Sequence, residues 1–257
     1  MPDATLQLRS LKGLWRRLYA RRLALHATVE AVVLAAWRDD LPGLDLAPAV
    51  AAWRPVTEES ADPWDQHRRE SAAAAVLAIL RARLWPRTRG ALALAVQQAH
   101  RLGWAAGHQL VSGESGDDGD LDDASPQRLG LGSPTMAEAA VDVTVASALG
   151  AALGASARRA GRAMADSTDA PQYDAQEALA EGLDLTLAAD AAVSAAYGAG
   201  LLAAYLGAGT GSVVWLTAGD GRVCERCAAA EAGSPYSLLA APRLPQHPRC
   251  RCVLAPA

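Results

Sequence analysis

The stretch Trp215-Leu216-Thr217-Ala218-Gly219-Asp220-Gly221-Arg222-Val223-Cys224-Glu225-Arg226-Cys227, answered near the end of the chain by His247-Pro248-Arg249-Cys250-Arg251-Cys252, decides how this sequence is read. All four cysteines lie in it, after more than two hundred residues without one. Cys224 and Cys227 form C-x-x-C, the spacing at which a tight knuckle turns two thiolates towards one tetrahedral ion. Cys250 and Cys252 stand two apart, so on an extended segment both point to one face and Arg251 to the other. His247 is a fifth candidate, and a tetrahedral site takes four of the five. Zinc suits soft thiolates with an optional imidazole in a closed site. Pro242, Pro245 and Pro248 hold the approach to Cys250 extended, which lowers the entropy cost of closing the site. The metal would staple a module with a very small core.

Outward from the knuckle, Val213 to Thr217 has the β-branched and aromatic character of a strand, and Gly219-Asp220-Gly221 is a turn signal. Asp220 and Arg222 sit in that turn and are read as fixing its shape. Upstream, the chain reads as helix. Apolar residues make up 51% of it, mostly Ala and Leu with no Phe, a composition that packs helices through small side chains. The expected fold is therefore mostly α, an Ala-rich helical body with a small C-terminal α+β module stapled by zinc.

Leu8, Leu11, Trp15, Leu18, Leu25, Val29, Val32 and Ala36 recur at helical spacing and predict a helix over 5–38. Further helices are expected over 65–84, 86–110, 136–164 and 174–206. Gly150, Gly154, Gly161, Gly198 and Gly200 would let neighbouring backbones approach closely. Pro42, Pro48, Pro55 and Pro63 break the segment 41–63 into turns, with Trp53 and Trp64 as anchors. The uncharged run 191–219 is weakly hydrophobic and interrupted by Gly207, Gly209 and Gly211. It reads as a packed helix followed by a strand rather than a membrane span. The chain then divides into a helical N-terminal region (1–112), an acidic Gly/Ser-rich linker (113–135) and a C-terminal domain (136–257) with its cysteine motif at 215–252.

Net charge is -4 but uneven: residues 1–110 carry 15 basic against 10 acidic side chains, and the remainder 9 against 18. Lys12 is the one lysine, and Arg abundance beside the Ala, Gly and Pro excess reads as mutational bias of a GC-rich genome. Arg9, Lys12, Arg16, Arg17, Arg21 and Arg22 nevertheless leave the first helix basic with no acid among them. Such a face suits nucleic acid, an acidic protein or anionic lipid, and a solvated surface is the plain alternative. Arg222, Arg226, Arg249 and Arg251 gather charge around the cysteines, where a phosphate contact is a hypothesis. In the linker Asp118, Asp120 and Asp122 alternate, but the glycine and bidentate Glu of a calcium loop are not at the required offsets.

The N-terminus lacks the pattern of a secretory signal, an expectation of synthesis in a reducing cytoplasm where metal binding is favoured over disulfides. A thioredoxin-like site needs C-x-x-C in a βαβ setting and a zinc deaminase needs H-x-E with P-C-x-x-C, and neither pattern is present. His26, His67, His100 and His108 are scattered, and no Ser/His/Asp or Cys/His catalytic set is read from the sequence.

The pattern carried by Trp215, Thr217, Asp220, Arg222, Cys224, Cys227, Gly233, His247, Pro248, Cys250, Arg251 and Cys252 resembles the phage head morphogenesis family, also called Mu F-like minor capsid proteins. The likeness covers about forty residues firmly. It implies a minor virion component near the portal vertex and the capsid interior, made in the host cytoplasm, with portal or major capsid protein as partners, possibly packaged DNA, and no membrane. A non-enzyme is expected. The rivals are a nucleic-acid-binding zinc module, using Arg16, Arg17, Arg21, Arg22, Arg222, Arg226 and Arg251, and a zinc-dependent hydrolase with Glu225 or Glu231 as base.

Overall fold

A computed structural model describes residues 4–53, 63–112, 136–247 and 249–257; the side chains of residues 4–12, Arg21, Trp53, residues 63–65 and Ser112 fall outside that description. The expected linker 113–135 with its alternating aspartates, Pro55 and Pro248 also lie outside the described residues.

Eight α-helices, one 3-10 turn (Leu238–Ala240) and three short strands are described. The helices are α1 (Ala4–Asp40), α2 (Ala47–Trp53), α3 (Pro63–Ala82), α4 (Pro86–Ser112), α5 (Glu138–Asp166), α6 (Pro171–Ala180), α7 (Leu183–Gly207) and α8 (Glu225–Ala232). Strands β1 (Ser212–Leu216), β2 (Tyr236–Ser237) and β3 (Val253–Pro256) form one antiparallel sheet in the order β2-β1-β3. The mostly helical class with a small C-terminal β element is thus observed. Proline opens α3, α4 and α6, where its missing N–H costs nothing.

Two compact units follow contacts rather than chain order. One joins residues 1–29, 93–142 and 190–257, and the other joins 30–92 and 143–189. The regions 1–112 and 136–257 each supply parts of both.

In the first unit the small residues of α4 and α7 let two backbones meet. A Cβ at Gly103 would fall on the carbonyl oxygen of Tyr197, and one at Gly200 on that of His100. Gly107 approaches the backbone of Leu201, where an added Cβ would lie 3.1 Å from the carbonyl oxygen. Gly198 faces the side chain of Leu244. Gly150 and Gly154 do not have the expected role: a Cβ at Gly150 meets nothing within 4 Å, and one at Gly154 meets only the guanidinium of Arg158. The stretches Glu138–Asp166 and Pro171–Gly207 are long and apolar enough to cross a bilayer by composition. In α7, however, Val193, Ala196, Tyr197, Leu201, Ala204 and Tyr205 are buried core. The Tyr205 hydroxyl donates to the Leu254 carbonyl (3.1 Å), tying α7 to β3.

In the second unit Trp37 stacks on Trp85 with ring centroids 4.5 Å apart and donates its indole N–H to the Leu179 carbonyl (2.8 Å). Buried Asp40 accepts both the backbone N–H and the hydroxyl of Thr88 at 2.8 Å, satisfying a donor that the first turn of α4 leaves free. The helix expected over 174–206 is divided. Gly182 adopts φ 66, donates to the Leu179 carbonyl, and offers its own carbonyl to Leu185 and Thr186, which begin α7. The proline-rich segment contains the short helix α2, whose Ala47 N–H is held by Asp45 (2.8 Å).

The buried stripe of α1 differs in part from the expected one. Leu18, Leu25, Val29, Val33, Ala36, Trp37 and Asp40 are buried, while Val32 is exposed. Arg22 is buried with them, since it stands four residues after Leu18 and three before Leu25.

Candidate metal centre

Strand β1 ends in a turn that delivers Cys224 to the N-cap of α8. Its extended backbone (φ -75°, ψ 157°) lets the Sγ accept the N–H of Cys227, 3.4 Å away. The C-x-x-C pair therefore opens a helix, in a setting of antiparallel strands rather than βαβ. The turn itself is built by Asp220: its Oδ1 accepts the Arg222 N–H (3.0 Å), and both oxygens receive the Arg251 guanidinium at 2.7 Å. This fork holds the Asp220 carboxyl well below the usual carboxylate range and raises Arg251. At the other end of the module, Thr217 donates its N–H (2.9 Å) and hydroxyl (2.7 Å) to the two oxygens of Glu231, clipping α8 to the end of β1.

The second cysteine pair arrives on a turn closed by the Cys250 N–H on the His247 carbonyl (3.1 Å). Its third residue, Arg249, has φ 58°, a conformation that L side chains rarely adopt. Asp190 of α7 holds it there by accepting the Arg249 N–H at 3.2 Å. Asp190 also accepts from His26 Nδ1 (2.7 Å), and His26 Nε2 lies 3.3 Å from the Ser194 hydroxyl. Burial acts to raise the Asp190 carboxyl, but the bonds from His26 and Arg249 outweigh it and leave it lowered. Cys250 and Cys252 lie just before β3 and are both buried, while Arg251 turns outward to Asp220. The expected alternation holds although the segment is not yet strand.

The five expected ligands come together in two overlapping triples, Cys224-Cys227-His247 and Cys227-Cys250-Cys252, whose ligand atoms lie within 4.8 Å of one another. Cys227 is common to both. Its Sγ is 3.8 Å from Cys250 Sγ and 3.4 Å from His247 Nε2. Zinc–sulfur bonds of about 2.3 Å and zinc–nitrogen bonds of about 2.0–2.1 Å give tetrahedral edges of roughly 3.8 Å between two sulfurs and roughly 3.5 Å between sulfur and nitrogen. The donor set and its spacing therefore fit a tetrahedral ion.

The thiols are unequal. A hydrogen bond from Cys252 brings Cys250 down to about 5, with burial opposing it. The same bond, with burial, pushes Cys252 strongly upward. Burial above all pushes Cys227 up to about 12, while the Cys227 N–H lowers Cys224. The group thus combines two lowered thiols, Cys224 and Cys250, with two raised ones, Cys227 and Cys252, and the raised thiols must give up protons to bind a metal.

The residues expected to form a basic contact face are dispersed. Arg16, Arg17, Arg222 and Arg226 are exposed, and the Arg21 side chain lies outside the described residues. Arg251 is engaged by Asp220. Arg22 is not on a surface: it is 2% exposed, and its guanidinium donates to the carbonyls of Cys252 (2.8 Å) and Cys250. Trp15, about two turns earlier, donates its indole N–H to the Arg251 carbonyl (2.9 Å). The N-terminal helix is thus part of the cysteine site, which sequence reasoning missed. Helical spacing from Leu18 and Leu25 was the available signal for Arg22. For Asp190 it was a single acid beside a long uncharged run.

Compared with protein-family models, curated proteins and solved structures, the chain matches none.

Proposed function

We propose that this chain is a minor capsid, head-morphogenesis protein of a tailed phage, held near the portal vertex inside the capsid, with a C-terminal module stapled by structural zinc. One observation carries the reading: the residues that resemble the head morphogenesis motif serve the architecture of one module. Trp215 is core; Thr217 clips α8; Asp220 grips Arg251 and the Arg222 backbone; the cysteines and His247 face one another. Gly233 ends α8, where a Cβ would collide with the Tyr236 hydroxyl. A motif spent on shape supports a structural protein over an enzyme. Glu231, a base in the hydrolase rival, already has both oxygens engaged by Thr217.

Zinc would be held by four of Cys224, Cys227, His247, Cys250 and Cys252. When bound, it supplies a closed cross-link between α8 and the segment leading to β3, with no open position for substrate. The partners are portal or major capsid protein, with Arg16, Arg17, Arg222 and Arg226 left for an anionic surface such as packaged DNA, and no membrane. Two measurements test this. The purified chain should carry about one equivalent of zinc under reducing conditions, as a four-ligand structural site requires. Mass spectrometry of virions from cells bearing the gene should find the chain in heads, and its absence from both virions and proheads would refute the assignment.

A further inference from the structure

Arg22 is a cation in the wrong place for the helix it belongs to. It lies on the buried stripe of α1, and its Nε finds no hydrogen-bond partner. Among the described residues no carboxylate forms an ion pair with it. Asp220 is taken by Arg251, and Asp190 bonds to His26 and the Arg249 N–H, so that it meets the Arg22 charge only through space. The Tyr19 ring, 5.2 Å from the guanidinium carbon, gives only a weak electrostatic partner. A buried charge is unfavourable unless compensated, and the direct contacts of this guanidinium are the backbone carbonyls of Cys250 and Cys252.

A zinc ion held by three thiolates and an imidazole carries one net negative charge, and one held by four thiolates carries two. We propose that Arg22 is the counter-ion of this metal–thiolate centre, so that the N-terminal helix is a required part of it. The inference rests on the zinc reading above. Arg22 lies behind the candidate ligands and touches the carbonyls of Cys250 and Cys252, so it acts as a positioning residue whose charge favours the loaded, more anionic centre over the metal-free one.

The charge argument makes a prediction opposite in sign to that of a simple structural hydrogen bond. In Arg22→Met the full chain should bind zinc about 10–100-fold more weakly, the range for lost outer-shell partners. The metal-stripped variant should melt at or above the temperature of the stripped wild type, because a buried charge has been removed. Arg22→Lys keeps the charge without the fork and should recover most of the affinity. Zinc affinity is read by competition with a chromophoric chelator, and melting is followed by circular dichroism with and without zinc. Unchanged affinity in Arg22→Met, equal losses in Met and Lys variants, or a stripped Arg22→Met that melts well below stripped wild type would each overturn the proposal. Wild-type chain that takes up no zinc would instead remove the zinc reading on which it rests.

Discussion

Replacing Gly200 by alanine tests the close contact of α4 and α7. The added Cβ would fall on the His100 carbonyl oxygen, 2.7 Å from the Trp104 nitrogen and 3.0 Å from the His100 carbonyl carbon. All three atoms are backbone, so no side chain can rotate away and the helices must part by about 1 Å. A gap of that size forfeits roughly a quarter to a half of the dispersion well along the contact, and overpacking of this kind costs about 1–3 kcal/mol. Taking the upper end because backbone meets backbone, and subtracting about 1 kcal/mol for the better helix propensity of alanine, leaves a net loss of about 2 kcal/mol. For a chain of this size that is a fall in Tm of roughly 4–8 °C. Gly150 supplies the control: it lies on α5 in open space, so Gly150→Ala should gain up to about 1 kcal/mol from propensity alone. Urea denaturation of both variants beside the wild type gives the comparison. If Gly200→Ala is as stable as Gly150→Ala, the helices do not approach as described and the reasoning fails.

Cys227→Ser should abolish stoichiometric zinc uptake, since Cys227 belongs to both triples; His247→Ala and Cys252→Ser, compared by the absorption of cobalt-substituted protein, should separate the two ligand sets, and full retention in Cys227→Ser would refute the shared vertex. Zinc affinity should fall as pH falls, because Cys227, pushed up to about 12 by burial, and the raised Cys252 must release protons to bind; calorimetry in buffers of different ionisation enthalpy measures that release, and binding without it would contradict the protonation pattern. Asp220 is depressed by Arg251, so its contribution to stability is present above the ordinary carboxylate range near pH 4 and is lost as pH falls through its folded value; Asp220→Asn should flatten the acid limb of the melting-temperature profile, and an unchanged limb would place that pH dependence elsewhere.

What was legible in the sequence is what local chemistry decides. Helix placement followed from apolar spacing and from proline at helix starts, and the five residues that cluster as candidate ligands followed from cysteine and histidine spacing alone. What escaped needed a partner distant in the chain. Gly103 and Gly107 look no different from Gly150 and Gly154, and only the crossing with α7 gives them work. The six-cation face of α1 was drawn by charge type. Its helical spacing already put Arg22 between Leu18 and Leu25, but a buried arginine becomes plausible only once the carbonyls of Cys250 and Cys252, some 230 residues away, supply acceptors. The break at Gly182 was hidden because the apolar pattern continues across it.

The line Asp190–His26–Ser194 poses a choice between chemistry and support. A carboxylate on Nδ1 at 2.7 Å and a serine hydroxyl 3.3 Å from Nε2 reproduce the contacts of a hydrolase triad, and the sequence reading found no such set because His26 lies on a different helix. Burial argues for a structural role. Ser194 is 1% exposed on α7, so a substrate carbonyl has no approach to its hydroxyl, whereas the second oxygen of Asp190 is spent on the Arg249 N–H in the ligand turn. On that reading the line braces Arg249 at positive φ between His247 and Cys250. Ser194 should resist a fluorophosphonate probe, and Asp190→Asn should weaken zinc binding by releasing the turn. Labelling of the wild type that disappears in Ser194→Ala, with zinc affinity unchanged in Asp190→Asn, would make the line an active site and reverse the assignment.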